Sequence, residues 1–199
     1  MHFYIVTRCT RPQNIQKIKD SIKNVFADKE HTYTHILIVD ATQGMQREDF
    51  EGFVDECTHV HFIDWKPDGD TFVTRGIDDV LARYNDDGYV YMLDDDNLLR
   101  HNFLDLCDYM DRDYDVMVFK VEKYKHLGDM SLMWKNPIGL IDWSNFIAKL
   151  SAYKKCKVYH PEKRNCDDGL LIFYMRRAGC RFRFIDKIFA YYNKLKHTF

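Results

Sequence analysis

The residue run with the clearest chemistry is Asp94-Asp95-Asp96-Asn97, which directly follows a strand-like apolar stretch, Tyr89–Leu93. Three adjacent carboxylates repel each other, so the run is unfavourable unless a cation or strong hydrogen-bond donors compensate its charge. Oxygen ligands suit Mg²⁺ or Mn²⁺, which keep part of their water shell and complete their coordination with substrate phosphates. The run therefore predicts a divalent-cation site for a phosphorylated ligand, with a solvated acidic loop as the alternative.

The acid run does not fit a calcium loop of the EF-hand type. In such a loop beginning at Asp94, Leu99 stands where glycine is required, and Asp105 stands at the twelfth position in place of Glu. His160 and His197 are candidate further metal ligands, or ordinary surface histidines.

The net charge of −2 comes from 29 Lys and Arg against 31 Asp and Glu. It provides no basic field of the kind that drives nonspecific nucleic-acid binding, so no nucleic-acid partner is expected. Acidic residues dominate 86–115, whereas from Arg176 onward Asp186 is the only acid among seven Arg and Lys. We interpret this asymmetry as one cation-binding and one anion-binding end, or as two solvated faces of opposite sign.

The composition predicts one globular domain. In 199 residues, 46% are hydrophobic and 15% are aromatic, which excludes a wholly disordered protein. The apolar runs are too short for a membrane-spanning helix, and the first residues resemble a strand and not a secretory signal, so a cytoplasmic protein is expected. The six cysteines are scattered without a C-x-x-C pair, and we expect reduced thiols that mostly pack.

Strand-like and helix-like stretches alternate over the first half of the chain, which predicts an α/β fold with a mainly parallel, mixed sheet covered by helices on both faces. Expected strands are His2–Thr7, His35–Val39, His59–Ile63, Tyr89–Leu93, Val116–Phe119 and Arg181–Tyr192. Expected helices are Pro12–Phe26, Arg47–Glu56, Phe72–Tyr84, His101–Met110 and Asp168–Ala178. The stretch Val121–Phe146 is expected to form irregular loops with short strands. Since ligands of open α/β sheets gather at the carboxyl ends of the strands, the acid run lies where a ligand is expected.

In this context Tyr89–Asn97 resembles the D-x-D element of GT-A glycosyltransferases, and its Asp-Asp-Asp-Asn form is especially similar to that of the glucuronyltransferases that build proteoglycan linkers. Val6–Pro12 resembles the opening strand and loop of that family, which hold the nucleotide. Ile38–Ala41 resembles its second strand, whose acid contacts the base. Arg75-Gly76 resembles its Arg-Gly pair, and Pro137–Phe146 resembles its acceptor-side segment.

The C-terminal part is more similar to the GT-A family that includes cellulose and chitin synthases. Cys166–Leu170, followed by Arg176–Gly179, resembles the Glu-Asp element of that family and its helix ending in Arg-Arg-Ala-Gly, which places Asp168 at the position of the catalytic base. Val80 stands where the glucuronyltransferases have an Arg, so a glucuronate donor is not implied.

The resemblance implies a single GT-A domain over residues 1–199, with a nucleotide-binding half, 1–100, and an acceptor and catalytic half, 101–199. It implies a metal-dependent, inverting glycosyltransferase that moves a sugar from a UDP-sugar to a hydroxyl of a glycan, a lipid-linked molecule or another acceptor. Asp168 would be the general base, and Asp96 would bind Mn²⁺ or Mg²⁺ directly. Asp94 would bind the ribose or support the metal through water, and Asp95 would brace the turn.

The other residues of the implied site fall into two groups. The nucleotide-binding group is Thr7, Arg8, Asp40, Arg75, Asp94 and Asp95. The substrate-binding group is Asp142, Trp143, Asn145 and Asp167.

Structural alternatives stay open for several of these residues. Asp167 and Asp168 could cap a helix, Asp40 could end a strand in a turn, and Trp143 could be part of the core. Two other function classes also remain: a phosphoryl or nucleotidyl transferase that uses Asp94 and Asp96, and a noncatalytic nucleotide- or glycan-binding module.

Overall fold

A computed structural model describes the protein over residues 1–27, 30–63, 72–85, 87–110, 113–122, 141–156 and 167–195, without the side chains of 72–75 and 167. The predicted segment 137–140 and the histidines at 160 and 197 lie outside the described residues, as do the side chains of Arg75 and Asp167. No helix within the described ranges is long and apolar enough to cross a membrane.

The described elements are strands and helices in alternation over the first half of the chain. The strands are β1 (His2–Cys9), β2 (Thr32–Asp40), β3 (Thr58–Ile63), β4 (Tyr89–Met92), β5 (Leu98–Leu99), β6 (Val116–Glu122), β7 (Phe146–Lys149) and β8 (Phe182–Tyr191). The α-helices are α1 (Ile15–Phe26), α2 (Phe72–Leu81), α3 (Leu150–Lys155) and α4 (Asp167–Arg177).

The strands form one eight-stranded sheet in the order β3-β2-β1-β4-β7-β6-β8-β5. Strands β1 to β4 are mutually parallel where they pair, whereas β7 runs antiparallel to both β4 and β6. The predicted α/β class with a mainly parallel, mixed sheet is therefore confirmed. Because β1, β2 and β4 are adjacent and parallel, the loops that follow them leave the sheet at the same edge, and this edge holds the acid run.

Helix α1 shows how the apolar pattern produces the fold. Pro12 opens a short 3-10 turn, which suits the first turn of a helix because proline has no N–H to satisfy. The apolar stripe that begins at Ile15 and ends at Phe26 is buried on one side of the helix. This packing holds the start of α1, and hence the loop after β1, close against the sheet.

Two predicted α-helices are 3-10 helices in the structure: Arg47–Phe53 in place of Arg47–Glu56, and Phe103–Tyr109 in place of His101–Met110. In the second, Phe103 and Leu106 are fully buried and three positions apart, a spacing that suits three residues per turn. Strands β5 and β7 and helix α3 were not predicted individually. They are only two to six residues long, too short for a periodic pattern to identify them.

His35 is a titratable group buried in the core beside Thr7 of β1. It is 1% exposed, its Nε2 lies 3.0 Å from Oγ1 of Thr7, and its Nδ1 has no hydrogen-bond partner among the described residues. Burial, together with the positive charge of Lys19, lowers the pKa of His35 to about 3. The imidazole is therefore neutral in the folded protein at neutral pH.

This burial predicts an acid-sensitive fold. In the unfolded chain His35 binds a proton below its ordinary pKa of 6.5, whereas the folded chain does not bind it until about 3, so the free energy of unfolding falls as the pH drops through that window. We expect His35→Gln to reduce the loss between about pH 7 and about pH 5, by up to about 1.4 kcal/mol per pH unit. Urea unfolding at several pH values measures the free energy of unfolding, and the substitution of an exposed histidine, His101→Gln, is the control. Equal pH slopes for wild type and His35→Gln would contradict it.

Gly88 fixes the entry of the chain into β4. Its φ of 134° is one that side chains of L residues rarely adopt, and an added Cβ would lie 2.9 Å from the carbonyl oxygen of His2 and 3.0 Å from the Tyr4 ring. The Gly88 carbonyl also accepts a hydrogen bond from the Leu150 N–H at 2.9 Å.

We expect Gly88→Ala to lower the free energy of unfolding by about 1–3 kcal/mol, because the backbone strain and the contact with a main-chain oxygen cannot both be relieved. Chemical denaturation measures the change. The matched control is Gly52→Ala, where an added Cβ meets nothing within 4 Å. Equal stability of Gly88→Ala and the control would show that this loop shifts freely.

Candidate functional site

A cleft of about 260 Å³ opens at the edge of the sheet where β1, β2 and β4 end. Among the described residues, it is lined by the ends of β1 and β2 and by the segments that follow β1, β2 and β4. Its lining residues are Arg8, Cys9, Thr10, Arg11, Ile38, Asp40, Gln43, Asp94, Asp95 and Asp96. The structure thus brings together the acid run, the predicted base-contacting Asp40 and the predicted nucleotide-binding Arg8.

Asp94 is paired with Arg8 from the neighbouring strand β1. Nε and Nη2 of Arg8 both donate to Oδ1 of Asp94, at 3.0 and 2.6 Å. Burial by itself would lower the pKa of Arg8, but the charge and hydrogen bonds of Asp94 raise it above its usual value. Arg8 is therefore a permanent positive charge that holds Asp94 in one orientation.

Asp95 joins the loop after β1 to the turn after β4. Its Oδ2 accepts hydrogen bonds from the backbone N–H of Thr10 at 2.6 Å, from the Thr10 hydroxyl at 2.8 Å and from the backbone N–H of Arg11 at 2.7 Å. The Asn14 side chain donates to the Asp95 carbonyl at 2.8 Å. With only 4% of its side chain exposed, Asp95 directs its carboxylate into the protein.

Arg11 is a cleft residue that was not selected from the sequence. A single nitrogen, Nη1, lies 2.6 Å from Oδ1 of Asp95 and 3.2 Å from Oδ2 of Asp96. The only signal in the sequence was its place in Val6–Pro12, the stretch that resembles a nucleotide-holding loop. The structure therefore contains the strong donors that three adjacent carboxylates require: Arg8, Arg11 and the backbone N–H groups of the β1 loop.

The acid run also offers oxygen ligands to a metal ion. The described residues contain no group of three or more His, Cys, Asp or Glu side chains arranged to hold a metal ion. Mg²⁺ is usually bound in proteins by one or two carboxylates and completed by substrate phosphates and water. Asp94 and Asp96, both at the cleft, provide that number and type of oxygen ligand, so the donor set fits a divalent ion that arrives with a phosphorylated ligand.

Asp40 ends β2 and caps the following 3-10 turn, Ala41–Gln43. Its Oδ1 accepts from the Thr42 N–H at 2.9 Å and the Thr42 hydroxyl at 2.6 Å, and its Oδ2 accepts from the Gln43 amide at 3.1 Å. Asp40 therefore ends a strand in a turn and also lines the cleft, so these two interpretations are compatible.

Two cleft-related groups have pKa values raised by burial. Burial and the charge of Asp95 raise the pKa of Cys9 to about 12, so its thiol is protonated and unsuited to act as a nucleophile. Burial and the negative charge of Asp94 raise the pKa of Asp142, against the opposing effects of Ser144 and Arg8. Asp142 thus lies within electrostatic range of the acid run although it is distant in sequence.

The turn around Asp142 is built as a closed capping unit. The Ser144 N–H donates to Oδ1 of Asp142 at 2.9 Å, and the Asp142 N–H donates to Oδ1 of Asn145 at 3.0 Å. Asn145 also donates to the Phe119 carbonyl at 3.2 Å. Trp143 and Asn145, both predicted to bind substrate, are buried in this unit, and only Asp142 is partly exposed.

Besides the residues of the Asp142 turn, Thr7 and Asp168 are also absent from the described lining of the cleft. Thr7 is fully buried, with its hydroxyl against His35. Asp168 is partly exposed in the first turn of α4, where its Oδ1 accepts from the Gly169 N–H at 2.7 Å. Arg75 lies in α2. Val80, at the position where the glucuronyltransferases have an Arg, is a buried core residue of the same helix.

Comparison with known proteins supports the fold. No protein-family model and no curated protein matches the sequence. Among solved structures, S. aureus TarS 1–349 in complex with UDP-GlcNAc is similar with a TM-score of 0.65 and 17% identity, covering 96% of this chain and 58% of TarS 1–349. Mannosyltransferase PcManGT from Pyrobaculum calidifontis, in complex with GDP-Man and Mn²⁺, has a TM-score of 0.65 and 12% identity, covering 94% of this chain and 55% of its own.

The galactosyltransferase LgtC, in complex with donor and acceptor sugar analogues, has a TM-score of 0.58 and 10% identity, covering 92% of this chain and 73% of its own. The chain thus spans little more than half the length of the first two of these proteins. Because the likeness extends over nearly the whole chain and the sequence identities are low, it shows a common architecture. The protein has the GT-A fold of these glycosyltransferases, as its sequence motifs predicted.

Proposed function

We propose that the protein is a glycosyltransferase domain that transfers a sugar from a nucleoside-diphosphate sugar, of the UDP type, to an acceptor hydroxyl. The observation that carries the proposal is the cleft at the carboxyl edge of β1, β2 and β4, where three aspartates lie beside two arginines in a GT-A fold. Ligands of open α/β sheets bind at this edge. The comparisons support the substrate class, since two of the similar structures hold UDP-GlcNAc and GDP-Man.

Each side of the cleft has a distinct role in the proposal. Asp40 and Gln43, at the end of β2, lie beside the base and ribose. Arg8 positions Asp94, and Asp94 and Asp96 would hold Mn²⁺ or Mg²⁺. When bound, such an ion neutralises the charge that develops on the departing diphosphate. The Mn²⁺ in the PcManGT complex supports this choice of ion.

The proposed chemistry is a direct displacement with inversion at the anomeric carbon. Asp168 accepts the proton of the attacking hydroxyl, and its place in the first turn of α4 favours the ionised form that a base requires. Asp142 and Asp167 bind the sugars, a role that the partial exposure of Asp142 supports. The acceptor is a glycan or a lipid-linked sugar, and the LgtC complex with an acceptor sugar analogue supports a sugar acceptor.

Incubation of the protein with Mn²⁺ and a panel of UDP- and GDP-sugars tests the proposal. We expect at least one UDP-sugar to raise the thermal unfolding temperature more with Mn²⁺ than with EDTA, and to release UDP slowly even without the natural acceptor. Release of inorganic phosphate from simple phosphoesters would instead support a phosphoryl transferase. Nucleotide binding without turnover would support a noncatalytic module, and the absence of any binding would reject the proposed function.

Two substitutions separate binding from chemistry. Asp168→Asn is expected to keep UDP-sugar affinity and to lower the transfer rate by about 10²- to 10⁴-fold, because the amide cannot accept the proton. Asp96→Ala is expected to weaken Mn²⁺-dependent nucleotide binding. Calorimetry and a UDP-release assay measure the two effects, with Asp186→Asn, 79% exposed on β8, as the control. Near-normal turnover in Asp168→Asn would refute its assignment as the base.

A further inference from the structure

Arg11 occupies a position in the cleft that is suited to a cation. Its Nη1 lies between Oδ1 of Asp95 and Oδ2 of Asp96, at 2.6 and 3.2 Å, and 38% of its side chain is exposed. Arg8, by contrast, donates hydrogen bonds from two nitrogens to a single oxygen of Asp94. Arg11 is therefore the arginine that joins two carboxylates and faces the space in which a ligand would lie.

The guanidinium of Arg11 is able to leave without dismantling the turn. If it moves away, Asp95 still accepts hydrogen bonds from the Thr10 N–H, the Thr10 hydroxyl and the Arg11 N–H. The loop after β1 thus stays attached through the Arg11 backbone while the Arg11 side chain is released. The oxygen of Asp96 that the guanidinium contacts belongs to the carboxylate proposed to bind the metal directly.

The charges of the cleft also favour an exchange. The described lining of the cleft has four aspartates, Asp40, Asp94, Asp95 and Asp96, and two arginines, Arg8 and Arg11, so its formal charge of −2 attracts a divalent ion in the nucleotide-free protein. Guanidinium groups match phosphate oxygens with two parallel hydrogen bonds, which gives Arg11 an alternative partner when a diphosphate is present.

We propose that Arg11 is the resident counter-ion of the nucleotide-free cleft, which yields Asp96 to the divalent ion and moves to the diphosphate when the donor binds. This inference rests on the proposed function. It makes the binding of metal and nucleotide mutually dependent: each binds weakly alone, because Arg11 then lacks either its carboxylate or its phosphate partner. Thermodynamic linkage requires the coupling to be the same whichever ligand binds first.

Mn²⁺ binding, followed by the electron paramagnetic resonance signal of the free ion, tests the exchange for wild type and Arg11→Gln with and without UDP. Without UDP, we expect Arg11→Gln to bind Mn²⁺ about 5- to 20-fold more tightly, because a positive charge beside Asp96 has been removed. We expect its affinity for UDP in the presence of Mn²⁺ to fall about 10-fold, because a charged donor to the diphosphate is lost. The factor by which UDP increases Mn²⁺ affinity therefore shrinks in the variant.

Arg11→Lys is the second variant and keeps the positive charge without the planar pair of donors. We expect its Mn²⁺ affinity without UDP to stay close to that of wild type and its UDP affinity to be intermediate. Arg181→Gln is the matched control, because it removes an exposed arginine that pairs with Asp113 at the opposite edge of the sheet. Circular dichroism checks that each variant is folded, and either Arg11 variant alone is sufficient to reject the inference.

The outcomes separate the inference from the proposed function. If wild type binds Mn²⁺ and UDP together, but Arg11→Gln leaves the Mn²⁺ affinity of the free protein unchanged or weaker, the exchange is overturned and the proposed function stands. The exchange is also overturned if, without UDP, Arg11→Lys binds Mn²⁺ as tightly as Arg11→Gln is expected to, because the lysine keeps the positive charge. If wild type binds neither Mn²⁺ nor UDP, both are overturned.

Discussion

The electrostatic pairing of the turn after β4 with the loop after β1 is the interaction on which the candidate site depends. Three consecutive carboxylates would drive the turn apart or into solvent if they stood alone. Here Arg8 neutralises Asp94, Arg11 joins Asp95 to Asp96, and two backbone N–H groups of the β1 loop donate to Asp95. The buried Asp95 is consequently a structural centre, and its neighbours Asp94 and Asp96 are kept at the cleft.

The sheet makes this pairing possible. Strands β1 and β4 are adjacent and parallel, and their register is continued beyond β4 by the Leu93 N–H, which donates to the Val6 carbonyl at 2.8 Å. The loop after β1, with its arginines, and the turn after β4, with its aspartates, therefore begin at the same level of the sheet. On the other side, the Leu195 N–H donates to the Asp96 carbonyl and the Asn193 N–H donates to the Asn97 side chain, so the chain after β8 also supports the turn.

The same pairing of acids with arginines bears on which ligand the cleft can take. A cleft whose acids are already paired with arginines presents a mixed surface of both signs, which suits a ligand that brings its own anion and cation, such as a nucleotide diphosphate with a divalent ion. Asp40 and Gln43 bound the cleft from the end of β2, and their side chains are hydrogen bonded to each other. A ligand would thus meet a largely pre-formed site on this side.

Local pattern was enough to predict the longer strands and helices in the first half of the fold and the position of its acids. Alternating apolar stretches identified β1 to β4 and α1, and the run Asp94–Asp96 stands after a buried strand, where ligands bind. Short elements such as β5 and β7 escaped, because two to four residues carry no measurable period. Trp143 and Asn145 matched a motif whose residues bind substrate, but both are buried in the structure. Their burial depends on which residues pack around them, and the spacing of a motif does not reveal that.

The sequence by itself determined that this protein concentrates negative charge at the end of a buried strand, and that this charge must be compensated. Only the tertiary structure decided which groups compensate this charge. Arg8 and Arg11 stand 86 and 85 positions before the carboxylates that they contact, Asp94 and Asp96. No local spacing encodes such a pair, because the order of the strands in the sheet, with β1 beside β4, is what brings the two loops together.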